Sequence, residues 1–310
     1  RIYQATGDKN ENGMDTLVIG EDYWNEETLG KLTIRKTGNA LTGKIETNDL
    51  IDPWMTGEAD SDFAYTLRPL AGAKYTITAA EDIYTQDRQL DANGSRTLWY
   101  AKGDFLSVIH DGTLGEVSVT LPLGSYHVEE TKPPYGYVGT TDSYDVTFVW
   151  DNQLNDVVMA KSIVKNGDSE QHFDFVRASE ASAELAEQQT LGFYNDREHA
   201  RVGVYKIDQE TGKYLAGAVF NLYTRDDIYD IDGKKLFSSG DLICTTPETV
   251  ADGYTYFNCD VPIRGEWYGQ SDRLDASTNS GNYIIRELRA PLGYYLNDAE
   301  MEVTFTYDNE

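Results

Sequence analysis

The feature that most constrains the fold of this chain is an internal repeat. Glu129–Val138 reads EETKPPYGYV and Arg286–Tyr295 reads RELRAPLGYY, so in both stretches a glutamate precedes a Pro-x-Gly-Tyr turn at the same offset. Three further pairs of segments recur in the same order: GKLTIRKTG with VGVYKIDQETG, RPLAGAKYTI with KYLAGAVFNL, and DVTFVWDN with EVTFTYDN. Such self-similarity indicates two homologous units in tandem.

Both units have the residue pattern of antiparallel β-sheets. Leu32 and Ile34 alternate with Lys31, Thr33 and Arg35, and Gly and Asp clusters interrupt runs of this kind. A period of two with apolar residues on one side is typical of a sheet that buries one face. Several such strands without long helices predict a sandwich. The predicted fold class is therefore all-β, with two tandem Ig-like β-sandwich domains.

The repeat also predicts the domain boundaries in a chain whose length allows about two domains. We expect residues 1–29 to be a linker or the end of a preceding domain, 30–199 an enlarged first domain, and 200–310 a second domain that lacks its last strand. The first domain is larger because it contains two inserts, Asn39–Leu67 and Ser162–Gln189. The second insert includes the sequence SEASAELAEQ, which predicts a short helix.

Charge and composition argue against several classes of function. The net charge is −27, from 53 acidic and 26 basic residues, and such a surface repels nucleic acids and anionic membranes. No apolar run approaches the roughly 18 residues that a membrane-spanning helix needs. The four histidines lack metal-ligand spacing and no phosphate-binding or hydrolase motif occurs, so we expect no cofactor and no metal. Cys244 and Cys259 fit either a disulfide bridge or two buried thiols.

The repeated motifs, taken together, resemble one family. Each unit has a lysine at the end of its first strand, then LAGA followed by an aromatic residue two positions on, then the pattern Y-x-x-x-E-x-x-A/P-P-x-G-Y. This combination resembles the CnaB-type or SpaA-type prealbumin-like domains of Gram-positive pilins and surface adhesins, over nearly all of residues 30–310. The resemblance implies a secreted, cell-wall-anchored extracellular protein in which this chain is a stalk or adhesin fragment, with neighbouring domains of a longer surface protein as its partners.

The resemblance also implies a covalent cross-link. Domains of this family join a lysine of the first strand to an asparagine or aspartate of the last strand in an isopeptide bond, with a glutamate between the two. Carried over to this sequence, the first unit offers Lys36, Glu130 and Asn195, with Asp196 as an alternative acceptor. The second unit offers Lys206 and Glu287, and we expect their acceptor on a strand beyond Glu310.

The chemistry of that bond explains why these residue types are needed. An amine attacks a carboxamide only when it is neutral, and a solvated lysine with a pKa of about 10.4 is almost wholly charged at neutral pH. Burial disfavours the charged forms of both lysine and glutamate, so the lysine can lose a proton and the glutamate can hold one. We expect a protonated Glu130 to hydrogen-bond to the carbonyl of Asn195, to polarise it, and to relay protons from the lysine amine to the leaving ammonia. Each domain would react once, on itself, so we expect single-turnover self-crosslinking and not an enzyme.

An alternative function is ligand binding by the first insert. Asn39–Leu67 contains Trp54, Met55 and several acidic residues, and such a loop is a common place for a recognition surface. In that reading the chain is an adhesin module that recognises a host protein or glycan. The two functions can coexist in one chain.

Overall fold

The computed structural model describes residues 28–47, 60–85, 96–109, 115–151, 156–166, 169–173, 176–177, 190–263 and 280–307. Within these ranges the regular secondary structure consists of strands. In chain order the strands are β1 (Leu29–Thr47), β2 (Asp60–Pro69), β3 (Lys74–Ala79), β4 (Ile83–Tyr84), β5 (Leu98–Tyr100), β6 (Phe105–Ile109), β7 (Glu116–Pro122), β8 (Gly124–Lys132), β9 (Ser143–Asp151), β10 (Asp156–Asn166), β11 (Ser169–Phe173), β12 (Val176–Arg177), β13 (Leu191–Asn195), β14 (Gly203–Tyr205), β15 (Val219–Thr224), β16 (Ile228–Tyr229), β17 (Lys235–Phe237), β18 (Leu242–Thr245), β19 (Tyr254–Tyr256), β20 (Asn282–Arg289) and β21 (Met301–Thr304).

The first domain is organised around the long strand β1. Its first half pairs antiparallel with β7 and its second half antiparallel with β2, while its centre, Ile34–Gly38, pairs in parallel with β13. The second sheet has the order β11-β10-β9-β8-β3-β6, with β12 also on β10. The first and last strands of this domain are therefore direct neighbours, although more than 140 residues separate them in the chain.

The core of the first domain lies between these two sheets. The alternation on β1 places Leu32 and Ile34 inward, and β13 contributes Leu191 and Phe193 from beside them. The second sheet contributes inward-facing residues of β3, β8 and β9: Tyr75, Ile77, Tyr126, Val128, Tyr144, Val146 and Phe148. The apolar positions of the sequence thus form the interior of a sandwich, as their period of two predicts.

The second domain has a smaller version of the same arrangement. Strand β14 pairs with β19, and a second sheet has the order β18-β15-β20-β21. The hairpin β16–β17 closes one end of the core. The prediction of an all-β chain with two tandem β-sandwich domains is therefore confirmed.

Several predicted features lie partly or wholly outside the described residues. The predicted helix SEASAELAEQ and the residues Trp54 and Met55 of the first insert are among them. Parts of the insert that contains the predicted helix are strands: the end of β10, then β11 and β12. The flanks of the first insert are also strands, because β1 continues to Thr47 and β2 starts at Asp60. Cys244 and Cys259 are both buried and free, which confirms the second of the two alternatives for them.

Candidate functional site

Lys36 occupies an inward position of β1 where the pattern calls for an apolar residue. It follows Leu32 and Ile34 on the same face, and its side chain is 0% exposed. Its backbone NH donates to Gly115 O (2.6 Å) and its carbonyl accepts from Leu70 NH (3.0 Å), at the point where pairing on that edge passes from β7 to β2. Both backbone bonds hold the lysine in register, so the amine is directed into the space between the sheets.

Glu130 reaches Lys36 from the opposite sheet. It lies on β8 in register with the buried Tyr75 of β3, and its side chain is 1% exposed. Oε1 of Glu130 lies 2.7 Å from Nζ of Lys36. Oε2 accepts a hydrogen bond from the backbone NH of Thr140 at 3.3 Å. The carboxyl group is therefore oriented by its own strand and by the segment that follows the Pro-x-Gly-Tyr turn.

Asn195 is the third buried polar side chain at this place. It ends β13, where Leu191, Phe193 and Asn195 alternate inward, and it lies opposite Gly38 in the parallel pairing with β1. Its Nδ2 donates to Glu130 Oε2 (2.7 Å) and to the carbonyl of Val138 (2.8 Å), while its Oδ1 is buried without a hydrogen bond. One carboxyl group therefore contacts the amine through one oxygen and the carboxamide through the other.

Asp196, the alternative acceptor, lies outside this cluster. Its side chain is 53% exposed, and Oδ1 accepts from the backbone NH of Arg197 at 3.0 Å. Neighbouring residues on a strand point to opposite faces, so only one of the two can face Glu130. The structure brings together Lys36, Glu130 and Asn195 and leaves Asp196 outside.

Burial dominates the electrostatics of the site. It lowers the pKa of Lys36 from 10.5 to about 8, although the nearby Glu130 carboxyl opposes the shift and Asp142 opposes it further. The rings of Tyr75 and Tyr144 each lie 5.0 Å from that of Phe193, the residue paired with Lys36 in the register of β1 and β13. These aromatic residues help to exclude water, which is the condition for a large shift.

The Pro-x-Gly-Tyr turn connects the glutamate to the acceptor strand. Gly136 has a φ of +85°, and the Tyr137 hydroxyl donates to the Asn39 carbonyl at 3.0 Å. Val138 then donates its NH to Asp196 O at 2.8 Å and accepts the Asn195 amide with its carbonyl. The turn therefore fastens the end of β13 beside Glu130, and this gives a physical reason for the fixed offset between glutamate and turn.

The second domain has an equivalent lysine–glutamate pair whose side chains are more exposed to solvent. Nζ of Lys206 lies 2.8 Å from Oε1 of Glu287, with side-chain exposures of 16% and 2%. Oε2 of Glu287 accepts from the backbone NH of Asn297, ten residues on, as Oε2 of Glu130 accepts from Thr140. Among the described strands, β14 pairs with β19 alone, so no described strand takes the place that β13 has in the first domain.

Two residues important to the lysines were missed by the sequence analysis. Gly115 and Gly253 have φ values of +70° and +74°, and their carbonyls accept the backbone NH groups of Lys36 and Lys206. A Cβ at either glycine would lie 2.8 Å or 2.6 Å from the carbonyl oxygen of the lysine it holds. Their equivalent positions, just before the strand that pairs with the lysine strand, are the sequence signal that could have identified them.

Asp142 is a further buried carboxylate near the site that sequence reasoning did not single out. Its Oδ1 is buried without a hydrogen bond, and its charge acts on Lys36. The described residues contain no cluster of His, Cys, Asp or Glu arranged to hold a metal ion. They also contain no helix long and apolar enough to cross a membrane.

Comparison with known proteins agrees with the resemblance seen in the motifs. The model of the SpaA prealbumin-like fold domain matches the chain twice, at residues 64–162 and 200–310. These matches cover more than half of the chain, which therefore belongs to this family. A search of curated proteins finds no match.

Similar solved structures include the TIE protein of Bacillus anthracis and two bacterial pilus proteins. The Bacillus anthracis TIE protein is 17% identical with a TM-score of 0.45, and the match covers 92% of this chain and 32% of that one. A C-terminal fragment of the pilus adhesin SpaC from Lactobacillus rhamnosus GG is 16% identical with a TM-score of 0.40, covering 89% and 83%. The shaft pilin SpaA of the same organism is 15% identical with a TM-score of 0.22, covering 91% and 95%. This chain thus spans about a third of the TIE protein.

Proposed function

We propose that this chain is a stalk or adhesin segment that withstands tension in an extracellular, cell-wall-anchored protein. We also propose that its first domain cross-links itself between Lys36 and Asn195. Membership of the SpaA prealbumin-like family supports the surface role. The observation that carries the cross-link is the contact of both Glu130 oxygens, at 2.7 Å, with a buried amine and a buried carboxamide.

The proposed reaction needs only these three side chains. Nζ of Lys36 attacks Cγ of Asn195, the Nζ–Cγ bond forms, the Cγ–Nδ2 bond breaks, and Nδ2 leaves as ammonia. Glu130 accepts one proton from the amine and gives one to the departing nitrogen, so it ends the step as it began. The fold supplies the encounter, because the pairing of β1 with β13 holds amine and amide together.

The orientation of Asn195 suits proton delivery to the leaving group. The expectation that a protonated Glu130 hydrogen-bonds to the carbonyl of Asn195 does not match the structure, where Nδ2, and not Oδ1, contacts Glu130. The nitrogen that must leave is therefore the atom that lies beside the acid. A proton moved from Lys36 to Glu130 crosses a single contact of 2.7 Å, so no water molecule is required for the relay.

Intact-protein mass tests the bond. We expect the purified chain to be lighter than its sequence by one ammonia molecule, and Lys36→Ala and Asn195→Ala to have the full sequence mass. Asp196→Ala is the matched control, because it removes the neighbouring carboxylate outside the cluster, and it should keep the mass deficit. A full-mass parent chain would refute the bond and leave the fold unaffected, and a deficit retained by Asn195→Ala would refute Asn195 as the acceptor.

The lowered pKa of Lys36 predicts a pH dependence in the unbonded chain. In Asn195→Ala the amine persists, and its pKa is about 8 folded against 10.5 unfolded. The unfolded state then binds more protons than the folded state between these values, so stability rises with pH in this window. From pH 8 to about pH 9.5 we expect the unfolding free energy to rise by about 1.5 kcal/mol.

Chemical denaturation of two variants isolates that rise. Asn195→Ala is compared at each pH with Asn195→Ala carrying Lys36→Met, since both share every titrating tyrosine and differ in the amine. The difference in unfolding free energy between them should grow with pH as stated. A difference that is constant from pH 8 upward would show that Lys36 is not a buried amine with a lowered pKa.

In the second domain we propose the same chemistry, with an acceptor that lies outside the described residues. The support is the Lys206–Glu287 contact at 2.8 Å and its backbone equivalence to the first site. Ligand recognition through Asn39–Leu67 stays a prediction. One face of the described flanks of that segment packs on the second domain, through Ala40, Leu41 and Phe63.

A further inference from the structure

The hairpin β1–β2 extends beyond the first domain and packs into the second. Ala40, Leu41 and Phe63 are buried in the same apolar cluster as Ile228, Phe237 and Ile243 of the second domain. The rings of Phe63 and Phe237 lie 5.2 Å apart, and Nζ of Lys44 lies 4.9 Å from the centre of the Phe237 ring. The NH of Ile231 donates to the carbonyl of Leu41 at 2.9 Å. One surface of the hairpin is therefore part of the second domain's core.

Arg197 fastens the connection between the domains at the base of this hairpin. It lies two residues after the end of β13 and is 2% exposed, with its guanidinium 3.9 Å from the centre of the Tyr65 ring on β2. Its Nη1 lies 2.6 Å from Oδ2 of Asp260, and its Nη2 donates to the carbonyl of Val261 at 3.2 Å. The Tyr65 hydroxyl also donates to the carbonyl of Asp260 at 3.1 Å. A single buried side chain thus contacts the first-domain hairpin on one side and the second domain on the other.

Asp260 is held in its charged form by this arrangement. Burial would raise its pKa, but Arg197, His199 and the backbone NH of Ala200 outweigh burial and hold the pKa of this carboxyl below its usual value. Oδ1 accepts from the NH of Ala200, so the carboxyl also fixes the backbone of the connecting segment. On the outer side, Arg68 of β2 forms two hydrogen bonds of 2.7 Å with Asp232.

We propose that the hairpin β1–β2 and Arg197 form an interdomain joint whose partner is the second domain, and that the joint makes the two domains one rigid body. Domains joined by a short connection ordinarily move relative to each other unless a large apolar interface forms between them. Here the interface is apolar at its centre, through Phe63 and Phe237. At its edge the buried Arg197 contacts the Asp260 carboxylate through Nη1 and the Val261 carbonyl through Nη2. This role does not depend on the isopeptide bond.

Pulsed electron–electron spin resonance tests the joint in the full chain. Spin labels at Lys31→Cys and Lys213→Cys, both exposed and one in each domain, report the distance between the domains; native Cys244 and Cys259 are buried. We expect one narrow distance distribution in the parent and a distribution at least twice as broad in Arg197→Met. The result that would overturn the proposal is a broad distribution in the parent, or an unchanged width in the variant.

Arg286→Met is the matched control. Arg286 also stacks on a tyrosine, at 4.7 Å from the Tyr223 ring, and pairs with Glu300 at 2.6 Å, but all three residues belong to the second domain. It should leave the width unchanged, and broadening there would show that the readout reports general destabilisation. If Arg197→Met does not fold, Tyr65→Leu tests the same contact from the hairpin, where Tyr65 is half-buried. This variant must then broaden the distance distribution.

Discussion

Replacing Glu130 by glutamine is expected to leave the first domain without its cross-link and to lower its melting temperature by about 10–20 °C. Glutamine keeps the shape of the side chain, but it has one acceptor oxygen where glutamate has two, and it cannot accept a proton from Lys36 and return one to the leaving nitrogen. The bond would close a loop of 159 residues (195 − 36), whose removal costs about 5 kcal/mol in the chain-entropy model. For a domain of this size each kcal/mol corresponds to about 2–4 °C.

Glu129→Gln is the control for this experiment, since it makes the same chemical change at the adjacent, exposed position of β8. It should keep both the mass deficit and the melting temperature. Part of the loss in Glu130→Gln could come from the broken contact with Lys36, and Asn195→Ala separates the two causes because it retains that contact and removes only the acceptor. A Glu130→Gln chain that still lacks one ammonia would refute the proton relay.

The fold class could be predicted because the apolar residues that alternate along the sequence are the residues that form the interior of the fold. On β1 the alternation of Leu32 and Ile34 with polar residues is the alternation of buried and exposed side chains, and the repeat gave a second, independent reading of the same pattern. The length of β1 could not be predicted in this way. Its second half continues as a strand because β2 pairs with it and the second domain covers it, and a period of two does not identify the partner of a strand.

The site residues that could be predicted from the sequence are those that occur in both repeats. Lys36 and Glu130 have counterparts at Lys206 and Glu287, so their joint occurrence identified them, and the structure brings both pairs together. The choice between Asn195 and Asp196 had no such support. It depends on the register of β13 against β1, which pairs Gly38 with Asn195 and directs Asp196 outward. Long-range register is set by packing and is not encoded in the five residues of the strand.

Arg197 shows the other limit of sequence reasoning. An arginine after a strand in a connecting segment is usually exposed. Its burial requires Tyr65, Asp260 and Val261, which come from three separate parts of the chain. None of them is adjacent to Arg197 in the sequence, and the repeat has no second copy of the connection, so no internal comparison was available.

The second large effect is mechanical. When the chain is pulled from its ends between marker domains, tension enters the first domain along β1 and leaves after β13. The Lys36–Asn195 bond joins these neighbouring strands directly, so force would pass through it and leave the sheets unloaded. The 158 residues between Lys36 and Asn195 should therefore stay folded in the parent chain.

Single-molecule force spectroscopy measures this as missing extension. At about 3.3–3.6 Å per residue, the enclosed segment corresponds to a contour length of roughly 550 Å. We expect that increment to be absent from unfolding traces of the parent chain and present in Asn195→Ala, with Asp196→Ala behaving as the parent. An increment of this size in the parent would mean that β1 and β13 are held by hydrogen bonds alone. In that case the first domain would unfold under load like any sandwich whose end strands are pulled apart, and the stalk role would have to rest on the joint between the domains.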